Sequence, residues 1–144
     1  ADLKVGDRIP DFSITMNDGS IVTGAALRQS VSVIVFFHTS CPDCRKTLPV
    51  LQKIYDEYAS RGVRFALISR AEAQDSVSSF WQEQGLTMPF SAQNDRKVYE
   101  MFAASLVPRV YICRIGIIEY IFTDDPVPSY DDLNLALVKS EKKQ

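Results

Sequence analysis

The stretch Val31–Arg45, which reads VSVIVFFHTSCPDCR, decides the fold of this chain. Its first part, Val31–Phe37, is almost continuously apolar, with β-branched and aromatic residues that are typical of a central strand buried on both faces. Beyond Cys41 the apolar residues recur at helical spacing, at Leu48, Leu51, Tyr55 and Tyr58. The pattern therefore predicts that a buried strand turns into a helix at the cysteine.

Two cysteines lie at this turn, in the arrangement Cys41-Pro42-Asp43-Cys44. Unpaired backbone N–H groups and the positive end of the helix dipole stabilise a thiolate at the start of a helix. Cys44 follows one helical turn later, within reach of the first sulfur but deeper in the protein. We therefore expect Cys41 to attack a target disulfide and Cys44 to resolve the mixed disulfide that results.

The two residues between the cysteines are expected to tune the redox pair. Pro42 suits the first helical turn, where its missing N–H leaves no hydrogen bond unmade. Asp43 brings negative charge close to Cys41 and disfavours a thiolate there, an effect that the helix N-terminus and Arg45 partly offset. Asp43 should therefore make the pair more reducing, unless it is simply a favourable first-turn residue.

The composition is that of an ordinary globular protein. The chain has 144 residues, of which 46% are apolar and 24% are charged, and we expect one domain over residues 1–144. A net charge of -2 gives no reason to expect nucleic acid or an acidic membrane surface as a partner. No apolar run approaches the roughly 20 residues of a membrane helix.

Metal and cofactor chemistry is not expected. A structural zinc site would need two ligands besides Cys41 and Cys44, and only His38 and Cys113 are available. Cys113 lies on a predicted strand, where a small buried core residue is the favoured interpretation.

The rest of the chain predicts an α/β fold. Two short apolar runs around Asn17–Ser20 predict a β-hairpin, and a strand over Arg64–Ser69 completes a βαβ unit with parallel strands. The elements that follow are a helix burying Val77, Phe80 and Trp81, a helix from about Asn94 or Asp95 burying Val98, Met101 and Phe102, strands Arg109–Cys113 and Ile117–Phe122, and a C-terminal helix capped by Ser129 and Asp132. We expect a central mixed β-sheet flanked by helices, with the N-terminal hairpin as an extension.

Taken together, these motifs resemble the thioredoxin superfamily, and within it the TlpA/ResA-like thiol–disulfide oxidoreductases. The resemblance covers nearly the whole chain and is carried by three segments, Val5–Phe12, Val33–Arg45 and Val107–Ile112. The first of these is also shared by peroxiredoxins (the AhpC/TSA group). It implies a cis Val107–Pro108 bond facing the cysteines, with the backbone of Val107 offered to the bound substrate, and a helix kinked at Pro49. Without the resemblance, Pro108 would be an ordinary strand-opening proline.

The chain departs from that family close to the cysteines. Val35 stands where thioredoxins proper keep a buried acid, Thr47 stands where relatives often carry glutamate, and Phe37 and Ser40 replace two tryptophans. The usual carboxylate proton acceptors are therefore missing from the local sequence. His38 could serve as a local base, or it could simply be a partly solvated neighbour at the end of the strand.

The resemblance implies a protein disulfide reductase with a role in cell redox homeostasis. Its partners would be a disulfide-containing protein substrate and an upstream thiol electron donor, outside the cytoplasm. Membrane contact would come only through an N-terminal anchor missing from this sequence. A peroxiredoxin-like thiol peroxidase is an alternative, although Thr39 lies closer to Cys41 than in those enzymes. A binding or metal-delivery module with the same fold and no turnover is another.

Overall fold

The computed structural model describes residues 2–143 of the chain. Near the N-terminus, strands β1 (Ser13–Thr15) and β2 (Ile21–Thr23) form an antiparallel hairpin around Asn17–Ser20, as predicted. A single helical turn, α1 (Gly24–Leu27), follows and connects the hairpin to the central sheet.

The centre of the molecule is a four-stranded mixed sheet. Its strands are β3 (Val31–Phe37), β4 (Arg64–Ser69), β5 (Arg109–Arg114) and β6 (Ile117–Phe122), in the order β4-β3-β5-β6. β3 and β4 are parallel, whereas β5 runs antiparallel to β3 and β6 runs antiparallel to β5. Both the predicted βαβ unit and the predicted C-terminal hairpin are confirmed.

Helices flank this sheet. They are α2 (Pro42–Tyr58), α3 (Gln74–Gln84), α4 (Lys97–Glu100) and α5 (Tyr130–Lys142). Helix α5 begins with the predicted capping box. The Ser129 side chain accepts a hydrogen bond from the Asp132 N–H, and the Asp132 carboxylate accepts one from the Ser129 N–H. It packs against α2 and against β3 and β5. Within residues 2–143, no helix has the combination of length and apolar character that crossing a bilayer requires.

One predicted helix is shorter than expected, and one predicted core residue is wrong. Helix α4 begins at Lys97 because the Asp95 carboxylate accepts a hydrogen bond from the Lys97 N–H, which fixes the helix start two residues beyond the predicted one. The helix ends after one turn, so helical spacing does not bring both of the apolar residues that follow it into the core. Phe102 is fully buried, but Met101 is 43% exposed.

Aromatic packing under the end of β3 positions the site. Phe36 is fully buried and contacts the rings of Tyr99, Phe102 and Tyr111, with centroid separations between 4.9 and 6.2 Å. Such edge-on and tilted contacts add to the free energy gained from burying the rings themselves. The strand end that leads into the cysteines therefore rests on a well-packed base.

Candidate active site

Cys41 lies between β3 and α2 and is the N-cap residue of that helix. Its backbone is extended, and its Sγ accepts a hydrogen bond from the Cys44 N–H at 3.5 Å. The sulfur therefore lies at the N-terminus of α2, beside the amides and the positive dipole end of the first helical turn. Because Cys41 is half-buried, part of it remains open to solvent.

Cys44 lies one turn further along and has no exposed surface. Burial raises the pKa of its thiol far above the ordinary value, and the neighbouring Cys41 raises it further. A backbone hydrogen bond from His38 and the charge of Arg70 lower the pKa only in part. All three cysteines are free thiols, so the motif combines one half-buried cysteine with one buried cysteine whose thiol stays protonated.

Pro42 and Asp43 occupy the first turn of α2, as the sequence predicts. The backbone carbonyl of Asp43 accepts a hydrogen bond from the Thr47 hydroxyl at 2.8 Å. The Arg45 Nε donates to the Thr39 carbonyl, two residues before Cys41, at 2.6 Å. Arg45 therefore braces the loop before the motif.

The loop before β5 lies next to the cysteines, although its residue Val107 is 66 positions from Cys41 in the sequence. The Cys41 thiol donates to the Val107 carbonyl, with 3.7 Å between sulfur and oxygen. The Val107–Pro108 peptide bond is cis. Both features agree with what the family resemblance implies for these two residues.

A buried carboxylate that the sequence interpretation missed lies beside the motif. Glu72, which is 6% exposed, accepts hydrogen bonds from the Thr39 N–H at 2.9 Å and from the Thr39 hydroxyl. One of its oxygens lies 3.9 Å from Nδ1 of His38, and the same nitrogen accepts a hydrogen bond from the Ser40 N–H. A signal for Glu72 was available: it follows a predicted strand parallel to the one before Cys41, and such strands end at the same sheet edge.

Arg109 is a second residue that the sequence interpretation missed. Its buried guanidinium donates from Nε and Nη2 to the Ser105 carbonyl, at 3.1 and 2.8 Å, and from Nε to the Leu106 carbonyl at 3.2 Å. Its Nη2 also pairs with the Asp2 carboxylate at 3.2 Å. Leu106 has a φ of 85°, which L-residues rarely adopt, so these bonds hold an unusual backbone conformation beside Val107.

The third cysteine lies away from the motif. Cys113 is fully buried on β5 and pairs with Ser32 at the start of β3, whereas Cys41 follows the end of that strand. Burial raises the pKa of the Cys113 thiol to about 12. Its predicted place in the core is confirmed. In the part of the chain that the structure describes, no group of three or more His, Cys, Asp or Glu residues could hold a metal ion.

Solved structures share this architecture. A solution structure from Bacteroides thetaiotaomicron, provisionally described as a protein disulfide isomerase, has a TM-score of 0.90 and 25% identity, covering 98% of this chain and 92% of that one. A thiol:disulfide interchange protein of the thioredoxin family from Chlorobium tepidum has a TM-score of 0.80 and 22% identity, covering 97% of this chain and 99% of that one. The fold is therefore thioredoxin-like, as predicted.

Sequence comparison identifies the family of this thioredoxin-like chain. The chain belongs to the redoxin family, whose model matches residues 4–134. It is also similar to the thiol-disulfide oxidoreductase ResA of Bacillus thuringiensis (strain Al Hakam), with 22% identity over 110 residues. That match covers 76% of this chain and 64% of the relative, so the chain spans less than two thirds of the relative's length. The predicted TlpA/ResA-like domain within the thioredoxin superfamily is confirmed.

Proposed function

We propose that this protein is a thiol–disulfide oxidoreductase that reduces or exchanges disulfides in extracytoplasmic proteins through Cys41 and Cys44. The observation that carries the proposal is the geometry around Cys41, a half-buried residue whose sulfur caps a helix and lies 3.7 Å from the Val107 carbonyl oxygen. Cys44 lies one turn behind it, where a second sulfur is needed. The extracytoplasmic setting follows the resemblance to the TlpA/ResA-like branch.

The reaction consists of two exchanges. The Cys41 thiolate attacks one sulfur of the target disulfide, a bond forms between the two sulfurs, and the target's other sulfur leaves as a thiolate that takes up a proton. The Cys44 thiolate then attacks the Cys41 sulfur, which forms the Cys41–Cys44 disulfide and releases the second target thiol. The target gains two electrons and the pair loses two, so an upstream thiol donor must reduce the pair again.

The second exchange requires Cys44 to lose a proton that its burial holds tightly. His38 and Glu72 are the candidate acceptors, because the backbone of His38 contacts Cys44 and its ring lies next to the buried carboxylate. This pairing would replace the acids that are missing at Val35 and Thr47.

The loop opposite the cysteines is proposed to hold the target. The Val107 carbonyl faces Cys41, and the backbone of Val107, next to Pro108, would pair with an extended target segment as an added strand does. Pro42 and Asp43 are proposed to tune the pair through helix geometry and charge.

A trapping experiment with insulin tests the proposal. The wild-type protein should reduce insulin disulfides faster than dithiothreitol alone, Cys44→Ser should accumulate a mixed disulfide with insulin when no dithiothreitol is present, and Cys41→Ser should do neither. Cys113→Ser is the matched control and should reduce insulin at the wild-type rate.

Other outcomes would identify another function. Insulin reduction above the dithiothreitol background that persists in Cys41→Ser would contradict the proposal. Peroxide consumption without insulin reduction would identify a peroxidase, and stoichiometric copper or zinc uptake without turnover would identify a metal-delivery module.

A further inference from the structure

Two arginines contact one buried tyrosine beside the cysteine pair. The guanidinium carbons of Arg70 and Arg96 lie 5.0 and 5.4 Å from the centre of the Tyr99 ring. Tyr99 is 1% exposed, whereas both arginines are half-buried and keep part of their surface in solvent. Contact with the ring holds both charged groups in place.

The tyrosine connects this arginine pair to the proposed target-binding loop. The Tyr99 hydroxyl donates to the Leu106 carbonyl at 2.7 Å, and the next residue, Val107, faces Cys41. On the other side, the Arg70 N–H donates to the Phe37 carbonyl at 2.9 Å, at the end of the strand that leads to the cysteines. The arginine pair therefore lies beside both parts of the candidate site.

The described residues supply no carboxylate in an ion pair with either arginine, although Arg96 Nη2 donates to the Ala104 carbonyl at 3.3 Å. The acids nearest in sequence have other partners: Glu72 accepts from Thr39, and Asp95 accepts from the Lys97 N–H. The guanidinium groups of Arg70 and Arg96 therefore have no carboxylate bound to them among the described residues, on a chain whose net charge is -2.

We propose that Arg70 and Arg96 recognise acidic side chains of the target, so that disulfides flanked by Asp or Glu are preferred. This inference rests on the proposed disulfide exchange. A target segment that presents its sulfur to Cys41 and pairs with Val107 passes close to Tyr99, where a carboxylate can reach a guanidinium. Guanidinium groups bind carboxylates through two parallel hydrogen bonds, and the attraction also speeds encounter with an acidic partner.

Two peptides with the same intrachain disulfide test the inference. One carries Asp and Glu beside the cysteines and the other carries Asn and Gln, and each reduction rate is divided by the rate with dithiothreitol to remove intrinsic reactivity. The wild-type protein should favour the acidic peptide roughly fivefold at low ionic strength. The preference should shrink when the ionic strength is raised to about 0.5 M, because salt screens the charges.

Variants assign the preference to the arginine pair. In Arg70→Gln/Arg96→Gln the ratio of the two rates should fall to about one, whereas Arg70→Lys/Arg96→Lys should keep a preference for the acidic peptide because the charge remains. Arg64→Gln is the matched control: Arg64 is an exposed arginine at the start of β4, the strand end far from the cysteines, and its variant should keep the wild-type ratio.

The outcomes separate this inference from the proposed function. Reduction of both peptides at equal rates by the wild-type protein would overturn the role of the arginines and leave disulfide exchange standing. A preference that survives in the double glutamine variant would also overturn it. If neither peptide were reduced, the proposed function itself would be contradicted, and the inference with it.

Discussion

Asp43 occupies the first turn of α2, two residues after Cys41. A negative charge there opposes the Cys41 thiolate and therefore destabilises the reduced pair relative to the disulfide. We expect Asp43→Ala and Asp43→Asn to raise the reduction potential by about 10–30 mV, measured by equilibration with glutathione buffers. The asparagine variant keeps the size of the side chain, so an unchanged potential in both would leave Asp43 only a helix-start residue.

Arg109 acts on the proposed exchange through the loop that it holds. Arg109→Met removes the donors to the Ser105 and Leu106 carbonyls, and the loop facing Cys41 should lose its fixed conformation. We expect roughly tenfold slower insulin reduction, with an unchanged rate of Cys41 alkylation by iodoacetamide, since misplacing a positioning group by a small distance lowers rates strongly.

Two variants control the Arg109 experiment. Arg109→Lys keeps the charge and should recover part of the lost rate. Arg114→Met removes an arginine from the other end of the same strand and should leave the rate unchanged. A parallel loss in insulin reduction and alkylation would mean that Arg109 serves only general stability.

The sequence interpretation missed Arg109 and Glu72 because the contacts that define their roles are made with residues far away in the sequence. Arg109 looks like an ordinary polar residue at a strand start, because its partners include Asp2, 107 residues away. Glu72 follows a predicted strand, but only the parallel pairing of β3 with β4 brings it to Thr39. The cysteines were predictable because a strand-to-helix change is visible within a few residues.

Among the elements, the turn from β3 into α2 is fixed by side chains from distant parts of the chain. Glu72 accepts both the N–H and the hydroxyl of Thr39 in a buried setting. Thr39→Val keeps the shape of the side chain but leaves one carboxylate oxygen without its donor. The free energy of unfolding should fall by about 1–3 kcal/mol, measured by urea denaturation.

Thr47→Val is the matched control for this element. Its hydroxyl donates to the Asp43 carbonyl, which also accepts the regular helical hydrogen bond, so its loss leaves no buried group unpaired. The loss of stability should be clearly smaller than for Thr39→Val. Equal losses would mean that the Thr39–Glu72 contact does not stabilise the turn.

Element types were predictable wherever a period was long enough to see. The apolar run of β3 and the helical spacing of α2 extend over seven and 17 residues, and both elements lie where predicted. Helix α4 has only four residues, too few for a period to identify its buried face. Met101 was placed in the core for that reason and is exposed.

For the whole molecule, we expect the buried Cys113 thiol to lower the free energy of unfolding as the pH rises in the alkaline range. Its pKa is about 12 in the folded protein, against 9.0 for an ordinary thiol, so between these values the unfolded chain releases a proton that the folded chain keeps. The free energy of unfolding should therefore fall with rising pH in this window, by about 1.4 kcal/mol per pH unit from this thiol.

The Cys113→Ala variant isolates that contribution. Its free energy of unfolding, measured in reductant at pH values from about 8 to about 10.5, should fall less steeply with pH than that of the wild-type protein. Above the ordinary thiol pKa the difference in slope should correspond to one proton per molecule. Cys44 contributes to both curves equally. Parallel curves would show that the Cys113 thiol ionises as easily in the folded protein as in the unfolded chain.

The central claim is that Cys41 and Cys44 form a reversible redox pair, and a thiol-disulfide titration tests it most directly. The wild-type protein is equilibrated across a series of dithiothreitol buffers, alkylated, and mapped by mass spectrometry. We predict a single two-electron transition in which Cys41 and Cys44 lose their thiols together while Cys113 remains reduced throughout. Failure of the pair to oxidise in any buffer, or a disulfide that includes Cys113, would contradict the account.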